Sequence, residues 1–268
     1  MAKNSIEIIY EDDQLVAINK PAGISVTHDR SGKINLIDYL RKQRKDQQSL
    51  KIVHRLDKDT SGIMILAKNT DAQRKFSQYF EKGQVRKIYL ALITGSPSEQ
   101  SGMIDAPLMQ SRKNPEKIQV DYKNGKDAQT LWELLADFGN ISLIAARPQT
   151  GRTHQIRVHL QYAGMPLVID PLYGQNQAIM LSSFKADYKL GKFSEEKPLI
   201  DKLTLCAYHL EIEDFLDGRG LSLIAPLEKK FKATIKMLTK YNPHGPNAFI
   251  NEQNLKSLLD SQPLLLEI

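Results

Sequence analysis

Cysteine and tryptophan are nearly missing from this 268-residue chain, with one of each. A single Cys206 excludes an intrachain disulfide and any thiolate-clustered metal site. No stretch approaches the roughly 18 consecutive apolar residues of a membrane-spanning helix. The opening MAKNSIEIIYEDD lacks the apolar core of a signal peptide. Neither a Walker A loop nor a G-x-G-x-x-G string occurs, and Gly151-Arg152-Thr153-His154 offers one glycine, too few to cradle a pyrophosphate. The six histidines (His28, His54, His154, His159, His209 and His244) form no H-E-x-x-H pair, and no G-x-S-x-G elbow is present. These absences predict a cytoplasmic soluble protein with no metal and no nucleotide cofactor.

What the chain does have is charge in one place. It carries 37 Lys+Arg against 31 Asp+Glu, a formal net charge of +6. Residues 51–200 hold 21 basic and 15 acidic residues, while the remainder holds 16 of each. The surplus therefore lies entirely in the middle. A basic surplus favours a polyanion such as nucleic acid, although many proteins with a pI near 9.1 bind none. Hydrophobic residues at 41% allow a sizeable core.

Periodicity gives the coarse order of elements. Ile6 to Tyr10 and Leu15 to Asn19, with acidic residues between, predict a hairpin. Lys20-Pro21-Ala22-Gly23 predicts a turn. Asn35 to Lys45 reads as a helix, Ile63 to Ala67 as a strand. Thr70 is expected to cap a second helix, with Gln73 in the capping-box position and Gly83 as its stop. Strands are expected over Ile88–Thr94, Ala128–Asp137, Ile141–Ala146, Leu203–Ile212 and Leu221–Ala225. Ser96 to Gly125 reads as a polar loop. Thr153 to Ala163 reads as a short helix, with His154, Arg157, Val158 and Gln161 on one face and Ile156, Leu160 and Ala163 on another. Gln175 to Lys197 reads as a polar insertion over the site. Leu227, Phe231, Ile235 and Leu238 mark an amphipathic helix, and a last helix follows Asn251. Strand-rich segments with interspersed helices predict an α+β class rather than alternating βαβ.

Three polar clusters stand out: His54-Arg55-Leu56-Asp57-Lys58-Asp59-Thr60-Ser61-Gly62, Arg86-Lys87-Ile88-Tyr89, and Gln149 to Leu160. Each has an ordinary reading. Asp57 could pair with Arg55 in a solvated turn, Tyr89 could be a strand aromatic, Arg157 a surface residue, and Lys87 and Arg152 solvated cations. Their coexistence with Asn19-Lys20-Pro21-Ala22-Gly23 shifts the balance.

In that order, NKPAGISV, HRLDKDTSG, KIYLAL and TGRTHQIRVHL with its tail Gly164-Met165-Pro166 to Asp170-Pro171-Leu172-Tyr173-Gly174, the sequence resembles the pseudouridine synthases of the large-subunit rRNA "A" type. The likeness covers roughly residues 6 to 238. It implies the catalytic fold of that family: α+β, a mixed, mostly antiparallel sheet with helices and loops around a central basic cleft. It implies a catalytic domain over 1–240, leaving 241–268 as an extension of unplaced role. It implies isomerisation of uridine in rRNA or tRNA after base flipping, with no cofactor and no metal. By the same likeness Asp57 is the catalytic aspartate, Tyr89 packs under the target base, and Arg157 pairs with the aspartate. Arg55 helps hold the flipped nucleotide, with His54, Lys87, Arg152 and His154 as further substrate-binding residues. Many relatives carry an N-terminal S4-type RNA-binding domain, and none is expected here. A monomer is expected, with no membrane partner. Two departures stand out: Cys206 replaces the usual histidine of Leu-x-Leu-His-Ala, and Ile169 replaces the usual glycine before Asp170. The competing readings are a catalytically silent RNA-binding protein of the same fold and a nucleoside or glycoside hydrolase. The hydrolase needs a second carboxylate, and Asp59, on the same turn as Asp57, has no positional rationale for that part.

The chemistry is consistent with the resemblance. A carboxylate that attacks covalently or accepts a proton must be ionised. A permanently charged arginine beside it opposes the effect of burial. An aromatic face and basic side chains suit a flipped base and its phosphates.

Overall fold

A computed structural model describes residues 5–27, 34–44, 49–191, 194–215 and 218–268. Lys45, at the end of the expected first helix, and residues 192–193 of the expected insertion lie outside the described residues. In chain order the elements are β1 (Glu7–Glu11), β2 (Leu15–Lys20), α1 (Leu36–Gln43), β3 (Lys51–Ile52), β4 (Ser61–Ala67), α2 (Thr70–Glu81), β5 (Val85–Thr94), β6 (Ser101–Asp105), β7 (Leu108–Gln110), β8 (Ile118–Val120), β9 (Gln129–Asp137), β10 (Ile141–Pro148), α3 (Gln155–Tyr162), β11 (Leu205–Phe215), β12 (Arg219–Ile224), α4 (Lys229–Tyr241) and α5 (Glu252–Asp260). The expected α+β class is the observed one, with a mixed, mostly antiparallel strand arrangement.

The chain divides into two compact units. The first comprises residues 1–89 and 206–226. Its strands run in the order β1-β2-β4-β11-β5, with β3 beside β4 and β12 beside β11. β2 and β4 are continuous apolar runs because both faces are covered: Leu15 to Ile18 and Ile63 to Ala67 are buried among Leu36, Leu40 and Phe76 of the two helices. β4 pairs antiparallel with β2 but parallel with β11, where Gly62 lies opposite Ala207. A Cβ on Gly62 would stand 2.0 Å from the Ala207 carbonyl oxygen, and its φ of +110° also favours glycine. The glycine closing the HRLDKDTSG string is thus required by strand packing.

The second unit comprises residues 90–205 and 227–268. It contains the later half of β5 and the strand order β5-β10-β9-β6. β7 and β8 form a separate two-stranded hairpin. Residues after α4 fold back on β9: Ile250 donates its amide to the Leu135 carbonyl and Phe249 bridges Ala136.

Three expectations need correction. Asn69, not Thr70, caps α2 by accepting the Ala72 amide, and Gln73 instead donates to the Ile52 carbonyl. Ser96 to Gly125 is not loop throughout but contains β6, β7 and β8. In β6 only Ile104 is buried, so the strand shows one core residue and otherwise reads as polar. The helix expected from Thr153 begins at Gln155, and it has no solvent face at first: Gln155 through Leu160 are all buried.

Candidate active site

In the first unit the loop after β3 carries His54, Arg55 and Asp57. Leu56 is buried in the core, so the loop is anchored at its middle. Arg55 is exposed and Asp57 half-buried on either side of that anchor. A second anchor comes from Lys20, whose side chain is fully buried at the end of β2. Its ammonium donates to the Lys58 carbonyl at 2.9 Å and to the Pro21 carbonyl at 3.1 Å. Gly23 donates its amide to the same Lys58 carbonyl at 2.9 Å, and Thr60 donates to the Asp57 carbonyl. The NKPAG turn therefore clamps the backbone immediately after Asp57. A buried cation is tolerated only with such partners.

β5 explains the K-x-Y spacing. Alternate residues of a strand share a face, which puts Lys87 and Tyr89 together and Arg86 opposite. Arg86 pairs with Glu211 at 3.4 Å and Glu213 at 3.7 Å. Tyr89 packs partly buried against the core. Burial raises its hydroxyl pKa well above the ordinary value, and the charge of Asp57 adds to the effect. Asp57 and Tyr89, 32 positions apart, are thus within electrostatic reach. Burial lowers the Lys87 ammonium, which lies 6.0 Å from the centre of the Phe80 ring.

His54 is engaged by the fold around it. Its ring stacks on Phe80 at 4.4 Å, and its Nε2 accepts the Ile65 amide at 2.9 Å. Burial, then the nearby Lys87, pushes its pKa down to about 3. A neutral imidazole bound to backbone ties the start of the Asp57 loop to β4.

In the second unit the signature helix α3 holds Arg157, 5% exposed. Its Nε and Nη2 donate to the two carboxylate oxygens of Asp170 at 2.7 and 2.8 Å, a two-pronged ion pair. Asp170 is fully buried, and its Oδ1 also accepts the amides of Leu172 and Tyr173. The guanidinium lies over the Tyr173 ring, 5.0 Å from its centre. The Tyr173 hydroxyl accepts the Ile118 amide at 2.7 Å and meets His154 Nδ1 at 2.8 Å. His154 caps α3 with a left-handed backbone, φ 53°, which in a non-glycine residue costs about 1–3 kcal/mol. Its ring meets Tyr173 and makes no hydrogen bond to the helix amides.

Gln155 and His159 anchor the same helix. The Gln155 carbonyl oxygen accepts from the Thr150 hydroxyl and the Arg152 amide; its amide nitrogen donates to the Gln129 carbonyl and the Thr130 hydroxyl oxygen. His159 Nε2 donates to the Ala106 carbonyl, so its Nδ1 accepts the Thr130 hydroxyl proton. Burial lowers the His159 pKa and keeps the ring neutral. Arg152, exposed, donates its Nε to the Asp127 carbonyl.

The residues singled out in sequence therefore form two groups: Asp57, Tyr89, His54, Lys87 and Arg55 in one unit, and Arg157, His154 and Arg152 in the other. Four contributors were missed. Asp170 and Tyr173 stood only in the tail of the fourth motif, Lys20 only in a turn, and Gln155 only as part of a string. Among the described residues no group of three or more His, Cys, Asp or Glu could hold a metal ion, and no helix is long and apolar enough to cross a membrane.

A family model described as RNA pseudouridylate synthase matches residues 14–162. The match spans Asp57, Tyr89 and Arg157 and stops short of Asp170. The chain is 36% identical over 236 residues to the ribosomal large subunit pseudouridine synthase C of Vibrio parahaemolyticus, covering 88% of this chain and 70% of that one. It is 39% identical over 228 residues to an uncharacterized RNA pseudouridine synthase of Zymomonas mobilis, covering 84% of this chain and 94% of that one. Among solved structures, human RNA pseudouridylate synthase domain containing 4 superposes with a TM-score of 0.67 at 25% identity, covering 87% of this chain and 92% of that one.

Proposed function

The chain belongs to the RNA pseudouridylate synthase family, and from that membership we propose that it isomerises uridine to pseudouridine in RNA, with Asp57 as the reacting carboxylate. The observation that carries the assignment is the placement of Asp57 on an anchored loop in the same unit as Tyr89. The half-buried carboxylate stands on a loop clamped by Leu56 and Lys20, within electrostatic reach of the Tyr89 ring on β5. A flipped uracil needs a ring face to lie on and a charged group at its ribose.

The reaction moves one bond. The N1–C1′ bond breaks, C5 bonds to C1′, the C5 proton leaves to solvent and N1 takes up a proton. Nothing is oxidised and no group is added, so the chain's own side chains suffice. Asp57 serves as nucleophile or proton acceptor. Arg157, oriented by Asp170 and Tyr173, contributes a fixed positive charge in the same reading. Arg55 and Arg152, both exposed, take phosphates, and Lys87 and His154 complete the binding residues.

Large-subunit ribosomal RNA is the favoured substrate, because the relative from Vibrio parahaemolyticus is named for it, and the "A"-type grouping belongs to the same proposal. The same reading assigns catalysis to residues 1–240, with 241–268 as an extension, and includes a cytoplasmic location, a monomer and no cofactor. Incubating the protein with RNA, digesting to nucleosides and separating them tests the reading. Pseudouridine is expected. Free uracil would mean a hydrolase, and unchanged uridine in every RNA offered would mean a silent binding protein.

A further inference from the structure

The most unusual surface outside the site lies on the second unit, where two tyrosines spend their rings on water. Tyr122 is 67% exposed and Tyr162 is 55% exposed. Their hydroxyls meet at 3.2 Å, so each limits the other's freedom. Tyr122 stands on a built turn. Asp121 Oδ1 accepts the amides of Lys123 and Asn124, and Gly125 donates to the Asp121 carbonyl. Tyr162 is the last residue of α3, the helix that carries Arg157. Exposed, pre-ordered aromatic rings are costly unless something stacks on them.

The surroundings identify what that is. Between Arg112 and Lys126 the chain has five basic residues (Arg112, Lys113, Lys117, Lys123 and Lys126) against Glu116 and Asp121. These 15 residues supply +3 of the whole chain's +6. The Oδ1 of Asp121 is engaged by the turn amides. Arg112, Lys113, Lys123 and Lys126 are exposed. The same segment is continuous with the site: Ile118 of β8 donates its amide to the Tyr173 hydroxyl, and the Tyr173 ring lies under Arg157. Lys117 lies 6.0 Å from the centre of that ring. A protein partner would also value tyrosines, but a net positive segment around two stacking faces fits a single-stranded polyanion with bases.

We propose that Tyr122 and Tyr162 form a stacking platform for an unpaired nucleotide of the RNA substrate, with the β7–β8 hairpin and the turn after it holding the adjoining phosphates. The proposal rests on the RNA-modifying reading above and adds where the strand outside the reacting uridine is held. The docked nucleotide is read by its π-face, so the platform tolerates any base, and selection of the substrate by it is for an unpaired strand rather than a sequence.

The test is the dissociation constant of the full chain for a fluorescein-labelled single-stranded 12-nucleotide oligouridylate, measured by anisotropy. Replacing both rings by alanine (Y122A with Y162A) is expected to weaken binding by about tenfold or more. The phenylalanine pair (Y122F with Y162F) keeps both π-faces and is expected to bind within about twofold of the native chain. Native-like binding by the alanine pair would overturn the proposal, leaving the patch to another kind of partner. Equal weakening by both pairs would overturn stacking in favour of the hydroxyls. A matched duplex RNA competing as well as the single strand would also overturn it. Anisotropy needs no turnover, so a failure of the isomerase reading and a failure of the platform are seen separately.

Discussion

The Asp57 loop and helix α3 both look like charged motifs in sequence, yet the fold treats them in opposite ways. Asp57 stays half-buried, on a loop held from beneath by Leu56 and the Lys20 ammonium. Arg157 is buried and closed on Asp170, with a tyrosine ring under it and glutamine and histidine networks on either side. On the proposed function, the difference separates a reacting group from a holding group. A reacting carboxylate has to meet a substrate, so its support comes through neighbouring backbone. A holding cation has to stay where it is, so its own donors are committed.

That contrast orders the expected effects of substitution. The largest is on turnover at the loop. Asp57→Asn should cost about a thousandfold or more in turnover while moving the melting temperature by no more than about 2 °C. A comparable loss of stability would erase the distinction. The next belongs to α3. Asp170→Ala leaves the Arg157 guanidinium buried without its carboxylate and should cost about 3–5 kcal/mol in urea unfolding. Adding Arg157→Met should recover part of that loss, because the uncompensated charge is gone; strict additivity would mean the pair is not coupled.

Gln155→Ala is expected to cost about 1–3 kcal/mol by orphaning buried partners, again read by urea unfolding. The smallest effect is on pH dependence. His54 is neutral when folded, with its pKa depressed to about 3 from an ordinary 6.5. The unfolded chain therefore binds the extra proton first. Stability from this residue is complete above about pH 6.5 and declines as pH falls from there toward 3. His54→Gln should flatten the fall in melting temperature over that window, and an unchanged slope would place the sensitivity elsewhere.

How much of this was legible in sequence follows the range of the interactions. Strand β4 and helix α1 are encoded by their own apolar pattern, although Asn35, expected inside the helix, is its cap. Helix α2 was displaced by one residue at its cap because Asn69 and Thr70 both suit that role and only the backbone decides. β6 escaped notice because an edge strand with one buried residue has no alternation to read. Of the proposed site, Asp57, Tyr89 and Arg157 stood in recognisable strings. Their supports were not legible. Asp170 lies 13 positions from Arg157, and Lys20 reaches a carbonyl 38 positions away. Nothing local to either residue announces its partner. A lysine at the end of an apolar strand was the one available sign for Lys20. The structural contacts of His54 were not legible either: its Nε2 takes a backbone amide 11 positions away and its ring takes Phe80.

The central claim is that Asp57 carries out the bond exchange and that everything around it holds it in place. Tritium release from RNA labelled at C5 of uridine measures that exchange directly, since C5 loses its hydrogen only when it becomes the glycosidic carbon. The native chain should release tritium to water and Asp57→Asn, folded to the same melting temperature, should release none above background. Release by Asp57→Asn at the native rate would contradict the account.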